Sequence, residues 1–169
     1  MTAEDVLGVV GVLGEAEIHV WLDGGWGVDA LLGRRHREHD DIDLVMDRAV
    51  VPAAAEVLAD CGYAMAEDDL PTRAVFLRHD GKQIDVHPVS FDANGTGWQA
   101  GGAPDGGDCV YPATGFTTGT VAGTAVPCLA AEVQLAHHLG YEPRPRDIED
   151  MHRLAATFGL VLPAPYSDL

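Results

Sequence analysis

Asp41 and Asp43 stand two residues apart inside an otherwise apolar run, Ile42, Leu44, Val45 and Met46. A strand sends side chains i and i+2 to the same face, so the two carboxylates can converge on one point. Unpaired carboxylates that close repel and raise each other's pKa, and a divalent cation is the usual relief. A solvated strand face is the alternative, and the apolar neighbours argue against it. Upstream, Gly24 and Gly25 follow Asp23 at the end of a run in which Ile18, Val20 and Leu22 alternate with His19 and Trp21. Glycines there let backbone N–H groups approach phosphate oxygens, and a helix starting at that point adds the positive end of its dipole. A third acid, Asp85, sits in the middle of another apolar run, sharing a face with Gln83 and His87 while Ile84 and Val86 take the other. His87 reads as a partner of the site or as a satisfied polar residue.

The elements that must hold these groups follow from the pattern. Trp21 to Asp47 reads as a strand ending at Asp23, a Gly24-Gly25 turn, a short helix through Leu32, a basic loop, and a strand carrying Asp41 and Asp43. The loop, Gly33 to His39, holds three of the chain's ten Lys and Arg residues. Arg suits phosphate geometry, so the loop is a candidate for triphosphate contacts, a solvated loop being the alternative. Before it, Thr2 with Asp5 forms a capping box ahead of Val6, Val9, Val10 and Leu13 at helical spacing. After it come a helix over 51–58 ended by Cys61-Gly62, a strand over 63–66, and a hairpin of 73–78 with 83–90 around Asp80-Gly81.

Asp92 to Asp108 has six glycines and reads as a long flexible loop, with Trp98 free to stack on a base or drug or to anchor on the domain's own surface. Residues 116–120 and 121–126 form a second hairpin. Helices are expected over 129–139 and from Asp147, with Pro143 and Pro145 breaking the chain between them. Asp150 is expected at the third position of the last helix, and Ile148, Met151, Leu154, Ala155 and Phe158 on its apolar face. His137 and His138 are adjacent and point apart, so they read as packing or substrate-wall residues.

At 169 residues the chain fits one domain, about 1–127 carrying the catalytic core and sheet and about 128–169 a helical part. With 27 Asp and Glu against 10 Lys and Arg, the formal charge is -17. That balance opposes nucleic-acid binding and would steer cations, including amine-bearing small molecules, although plain solubility explains it as well. Cys61, Cys109 and Cys128 lack metal-ligand spacing and read as reduced thiols. No membrane-length apolar run or export signal is visible, so a cytoplasmic location is expected.

The glycine pair, the helix and the Asp41-x-Asp43 strand together resemble the DNA polymerase β-like nucleotidyltransferase superfamily. More narrowly, Gly24 to Leu44, with Val126 to Leu129, His138 to Pro143, Arg146, Asp147 and Asp150, resembles the lincosamide and aminoglycoside nucleotidyltransferases, over about residues 18–155. The resemblance implies an α+β nucleotidyltransferase fold: a mixed sheet packed by helices, with C-terminal helices. It implies transfer of AMP from ATP to a hydroxyl of a small molecule, with two magnesium ions held by Asp41, Asp43 and Asp85. Asp85 lies about 40 residues after the acid pair, where the superfamily places its third carboxylate. It would complete the metal shell or serve as general base. Gly24 and Gly25 would cradle the triphosphate, with Arg34, Arg37 or His39 neutralising the departing pyrophosphate. Gly25 departs from the superfamily pattern, which often has Ser there, and so favours the antibiotic-type group. A biosynthetic or protein acceptor, a non-catalytic nucleotide-binding module and a homodimer stay open.

Overall fold

Thr2 opens helix α1 (Ala3–Glu15): its hydroxyl accepts from the Asp5 amide, and the Asp5 carboxylate accepts from the Thr2 amide. The alternating run becomes strand β1 (Val20–Asp23) and passes straight into α2 (Gly24–Leu32). Asp23 is the N-cap of α2, its carboxylate accepting from the Gly24 amide at 2.8 Å. The glycine pair is thus the first turn of the helix and not a separate turn. Then come β2 (Asp41–Asp47), α3 (Val51–Asp60), β3 (Tyr63–Asp69), β4 (Arg73–Arg78) and β5 (Gln83–Phe91). The remainder is β6 (Gly97–Gln99), β7 (Cys109–Tyr111), β8 (Phe116–Val121), β9 (Thr124–Leu129), α4 (Ala131–His137) and α5 (Pro145–Phe158) in the computed structural model, which describes residues 1–169.

The sheet runs β3-β4-β5-β2-β1-β9-β8, with β6 and β7 continuing from β5. Its centre is mixed: β2 is parallel to β5 and antiparallel to β1, and β1 is parallel to β9. The period of two divides the faces. Val20, Leu22, Ile42, Leu44, Met46, Ile84 and Val86 join Val6, Leu13, Ala54 and Leu58 in the main core under α1 and α3. The other face is split along its length. At one end Val45 and Val89 pack with Tyr111, Leu129 and Val133; at the other end lie Asp23, Asp43, Asp85 and His87. No helix is long and apolar enough to cross a membrane.

Four expectations shift. The 92–108 segment is not one loop, because β6 pairs with β5 and β7 within and beyond it. Trp98 faces Val110 across that pairing, is 44% exposed, and lines neither cleft described below. Leu129 closes β9 and α4 begins only at Ala131, so the strand crosses the 127/128 boundary read from sequence. Pro145 opens α5 instead of preceding it, since a proline at the first helical position lacks only an N–H that would be unpaired anyway. Asp147, not Asp150, is therefore the third residue of that helix.

Candidate active site

Strand register sets the site. Asp23 on β1 pairs with Asp43 on β2, and Asp43 pairs with Asp85 on β5, so three neighbouring strands place a carboxylate in one row. Gly24 must lack a side chain here: it has φ +54° and a Cβ on it would run into the Asp43 carboxylate. Gly25 is closed off in the same way by the His39 ring and the Arg37 guanidinium.

The row is electrostatically loaded. Burial, with the charges of Asp41, Asp23 and Asp85, pushes the Asp43 carboxyl up to about 7. Burial alone would also raise Asp23, but the hydrogen bond and charge of His87 and the Gly24 amide hold it at about 2. His87 Nδ1 lies 3.1 Å from Asp23 Oδ2. Burial works against the His87 cation, yet Asp23, Asp43 and Asp85 raise it to about 9. Ligand atoms of Asp43, Asp85 and His87 all lie within 4.8 Å of one another. The carboxylate oxygens of Asp43 and Asp85 are the ligand type that hard divalent cations take. Asp41 flanks this group in the same cleft without joining the tight cluster. The residues present fit a divalent cation.

Two clefts meet over the row. The polar one, about 360 Å³, contains no hydrophobic lining residue. It holds Gly24, Gly25, Asp41, Asp43, Asp85 and the arginines 37, 73, 144 and 146, four of the chain's ten cations. The other, about 800 Å³, is mixed, with Tyr111, Leu139 and Tyr141 among its walls. Asp23, Arg73, His87 and His137 line both and mark the junction.

Of the basic residues expected at phosphate, Arg37 alone lines the polar cleft. Its Nε and Nη2 donate to the buried Asp150 carboxylate of α5 at 3.1 and 2.9 Å. Arg34 donates to His36 on the outer surface. His39 is buried behind Gly25, with Nε2 2.6 Å from the Asp29 carboxylate and its ring on Trp26. His137 and His138 do form part of the wall; His137 is edge-on to Tyr111 at 4.5 Å.

Arg73, Arg144 and Arg146 were not expected at the site, Arg146 having entered only with the family resemblance. Arg73 Nη2 donates to Asp85 at 2.6 Å, Nε reaches both Asp85 oxygens, and Nη1 reaches Glu67. A two-residue Asp80-Gly81 turn would set Phe76 opposite Asp85; the hairpin instead closes with Arg78 N–H donating to the Lys82 carbonyl, which shifts the register by one, puts Val75 opposite Asp85 and brings Arg73 to the same face. Arg144 and Arg146 alternate with Pro143 and Pro145, a concentration of charge unusual in so acidic a chain.

The model of the family described as aminoglycoside-2''-adenylyltransferase matches residues 5–154. A lincosamide resistance protein of Staphylococcus haemolyticus is 30% identical over 154 residues, covering 91% of this chain and 94% of that one. A 2''-aminoglycoside nucleotidyltransferase of Escherichia coli is 33% identical over 153 residues, 85% of this chain and 79% of that one. The crystal structure of a lincosamide antibiotic adenylyltransferase, LnuA, with lincomycin bound superimposes with a TM-score of 0.81 at 30% identity, covering 92% of this chain and 98% of that chain.

Proposed function

The chain belongs to the aminoglycoside-2''-adenylyltransferase family and is a nucleotidyltransferase, and from that premise we propose that it moves AMP from ATP onto a hydroxyl of a lincosamide- or aminoglycoside-type antibiotic. The observation that carries this reading is the meeting of the two clefts over the carboxylate row. A triphosphate fits the polar cleft, a hydroxylated small molecule fits the mixed one, and the acceptor oxygen and the α-phosphorus meet at the junction.

Asp41, Asp43 and Asp85 would hold the cations, which we assign as two magnesium ions. Bound there, magnesium would polarise the triphosphate and lower the pKa of the acceptor hydroxyl. The chain does the rest. Gly25 presents its backbone amide at the start of α2 to the phosphates, the Gly24 amide being taken by Asp23. The acceptor oxygen attacks the α-phosphorus, the bond to pyrophosphate breaks, and the acceptor proton passes to Asp85 as general base. Arg73 orients Asp85 for that role by donating to both of its carboxylate oxygens. The His87 cation balances the Asp23 charge at the junction.

The larger cleft favours an acceptor with an apolar face and few amines. Its only carboxylates are Asp23, already paired with His87, and Asp108, whereas seven of its eighteen lining residues are hydrophobic. A lincosamide fits that description better than a polyamine does. Its volume lies in the range of small-molecule sites, which disfavours a protein acceptor. The test is a mass-shift screen of lincosamides and aminoglycosides with ATP and magnesium. A gain of one adenylyl group on lincosamides is expected. Modification of neither class would move the acceptor to a biosynthetic intermediate.

A further inference from the structure

Three of the four arginines in the polar cleft are committed to carboxylates. Arg37 is held by Asp150, Arg73 by Asp85 and Glu67, and Arg144 by Asp147. Arg37 has a further bond from Nη1 to the Glu38 carbonyl, so its guanidinium is engaged on three nitrogens. Arg146 lines the same cleft and has no ion pair or hydrogen bond to any side chain. It occupies the second position of α5, a helix of 14 residues whose first turn opens on the cleft. Arg37 and Asp150, one turn further along α5 than Arg146, fasten the start of that helix to the loop behind Gly25, across 113 residues of chain.

Asp23, Arg73, His87 and His137 are shared with the larger cleft, whereas the glycine pair, Asp41, Asp43, Asp85 and the arginines 37, 144 and 146 line only the polar cleft. In an in-line displacement the leaving group departs opposite the attacking oxygen. An acceptor entering from the junction therefore sends the leaving pyrophosphate into the part of the polar cleft that the larger cleft does not share, where Arg146 is the arginine without a carboxylate partner.

We infer that Arg146, presented by the first turn of α5, is the anion-binding group of a pyrophosphate subsite, and that Arg37 positions this turn instead of binding phosphate itself. This rests on the nucleotidyl-transfer reading above. The bond broken is α-phosphorus to bridging oxygen; the electron pair leaves with pyrophosphate, and the uncommitted guanidinium receives the charge that develops there. Arg is suited to this because its planar fork can meet two phosphate oxygens at once.

The test is calorimetric titration of magnesium pyrophosphate, and separately of AMP, into the full-length protein without acceptor. Wild-type protein should bind pyrophosphate, and Arg146→Ala should weaken it roughly ten- to a hundredfold. AMP binding should be unchanged, because AMP lacks the departing phosphates. Arg146→Lys, which keeps the charge and loses the fork, should fall between the two. Arg37→Ala should lower Tm by leaving Asp150 buried and unpaired, which Arg146→Ala should not do. Absence of pyrophosphate binding in the wild type overturns the subsite, as does unchanged affinity in Arg146→Ala or equal loss of AMP and pyrophosphate. Binding that behaves as expected in a protein that modifies no antibiotic would keep the subsite and remove only the acceptor assignment.

Discussion

The two clefts are built by different means. The polar cleft rests on the central strands, where β1, β2 and β5 fix Asp23, Asp43 and Asp85 in a single row by backbone pairing. The mixed cleft touches the sheet through Asp23, Arg73 and His87, and its other walls are the segment from Gln99 to Tyr111, the end of α4 and the turn after it. A carboxylate site needs fixed geometry and rigid elements supply it. A cleft for a hydroxylated drug needs shape, and loops and short strands can vary shape without disturbing the row. The difference teaches that chemistry and acceptor choice are carried by separable parts of one small fold.

The sharpest break between the two comes from Asp43→Asn. Transfer should be abolished, a loss beyond the roughly 10²–10⁴-fold that a general base supplies. The Tm should hold, since Asn removes a half-buried charge crowded by Asp41, Asp23 and Asp85. Steady-state turnover and thermal unfolding together check it, and near-wild-type turnover would remove Asp43 from the cation site. Asp85→Ala should lower turnover by roughly 10²–10⁴-fold while leaving ATP binding largely in place. A folded variant that no longer binds ATP by calorimetry would reassign Asp85 from the acceptor proton to the nucleotide.

On the other side of the comparison stands Tyr111→Phe. The hydroxyl donates to Gln99 Oε1 at 2.7 Å, and Gln99 in turn donates to the Thr72 carbonyl. Its loss should raise the acceptor KM by about three- to tenfold and leave the ATP KM alone. Equal changes in both constants would show the clefts to be less separable than their construction suggests. A cationic acceptor should also bind several-fold more weakly at high salt with magnesium saturating, because steering by the -17 charge is screened over about 8 Å. Affinity indifferent to salt would make the acidic surface irrelevant to acceptor choice.

The smallest effect is a control remote from both clefts. Asp5 ties α1 to the β4–β5 hairpin through Lys82 at 2.6 Å. Burial would raise its carboxyl, but Lys82 and the Thr2 cap hold it at about 2. A folded-state value below the unfolded one gives stability that is present above pH 4 and fades as pH falls toward 2. Asp5→Asn should therefore cost about 0.5–1 kcal/mol at pH 7, nothing near pH 2, and neither KM at any pH.

Much of this molecule was written in local pattern. The Thr2–Asp5 cap, the alternation through Val20 and Leu22, the glycine pair, the Asp41–Asp43 strand and the Asp80-Gly81 hairpin all depend on neighbours within a few residues. Each was readable because period and turn chemistry are local properties. The family likeness added the fold and the pairing of Asp85 with the acid pair. What the sequence could not decide was who partners whom across long stretches of chain. Asp150 looked like a helix-start residue and instead takes Arg37, while Pro145 looked like a breaker and instead opens α5. Arg34 and Arg37 had equal claims until folding turned one outward and fastened the other to α5. His39 had the right chemistry for phosphate, and burial beside Asp29 and Trp26 set it behind the glycines. Nor was the single row of Asp23, Asp43 and Asp85 legible, because register between strands that are not neighbours in sequence is set only when the sheet assembles.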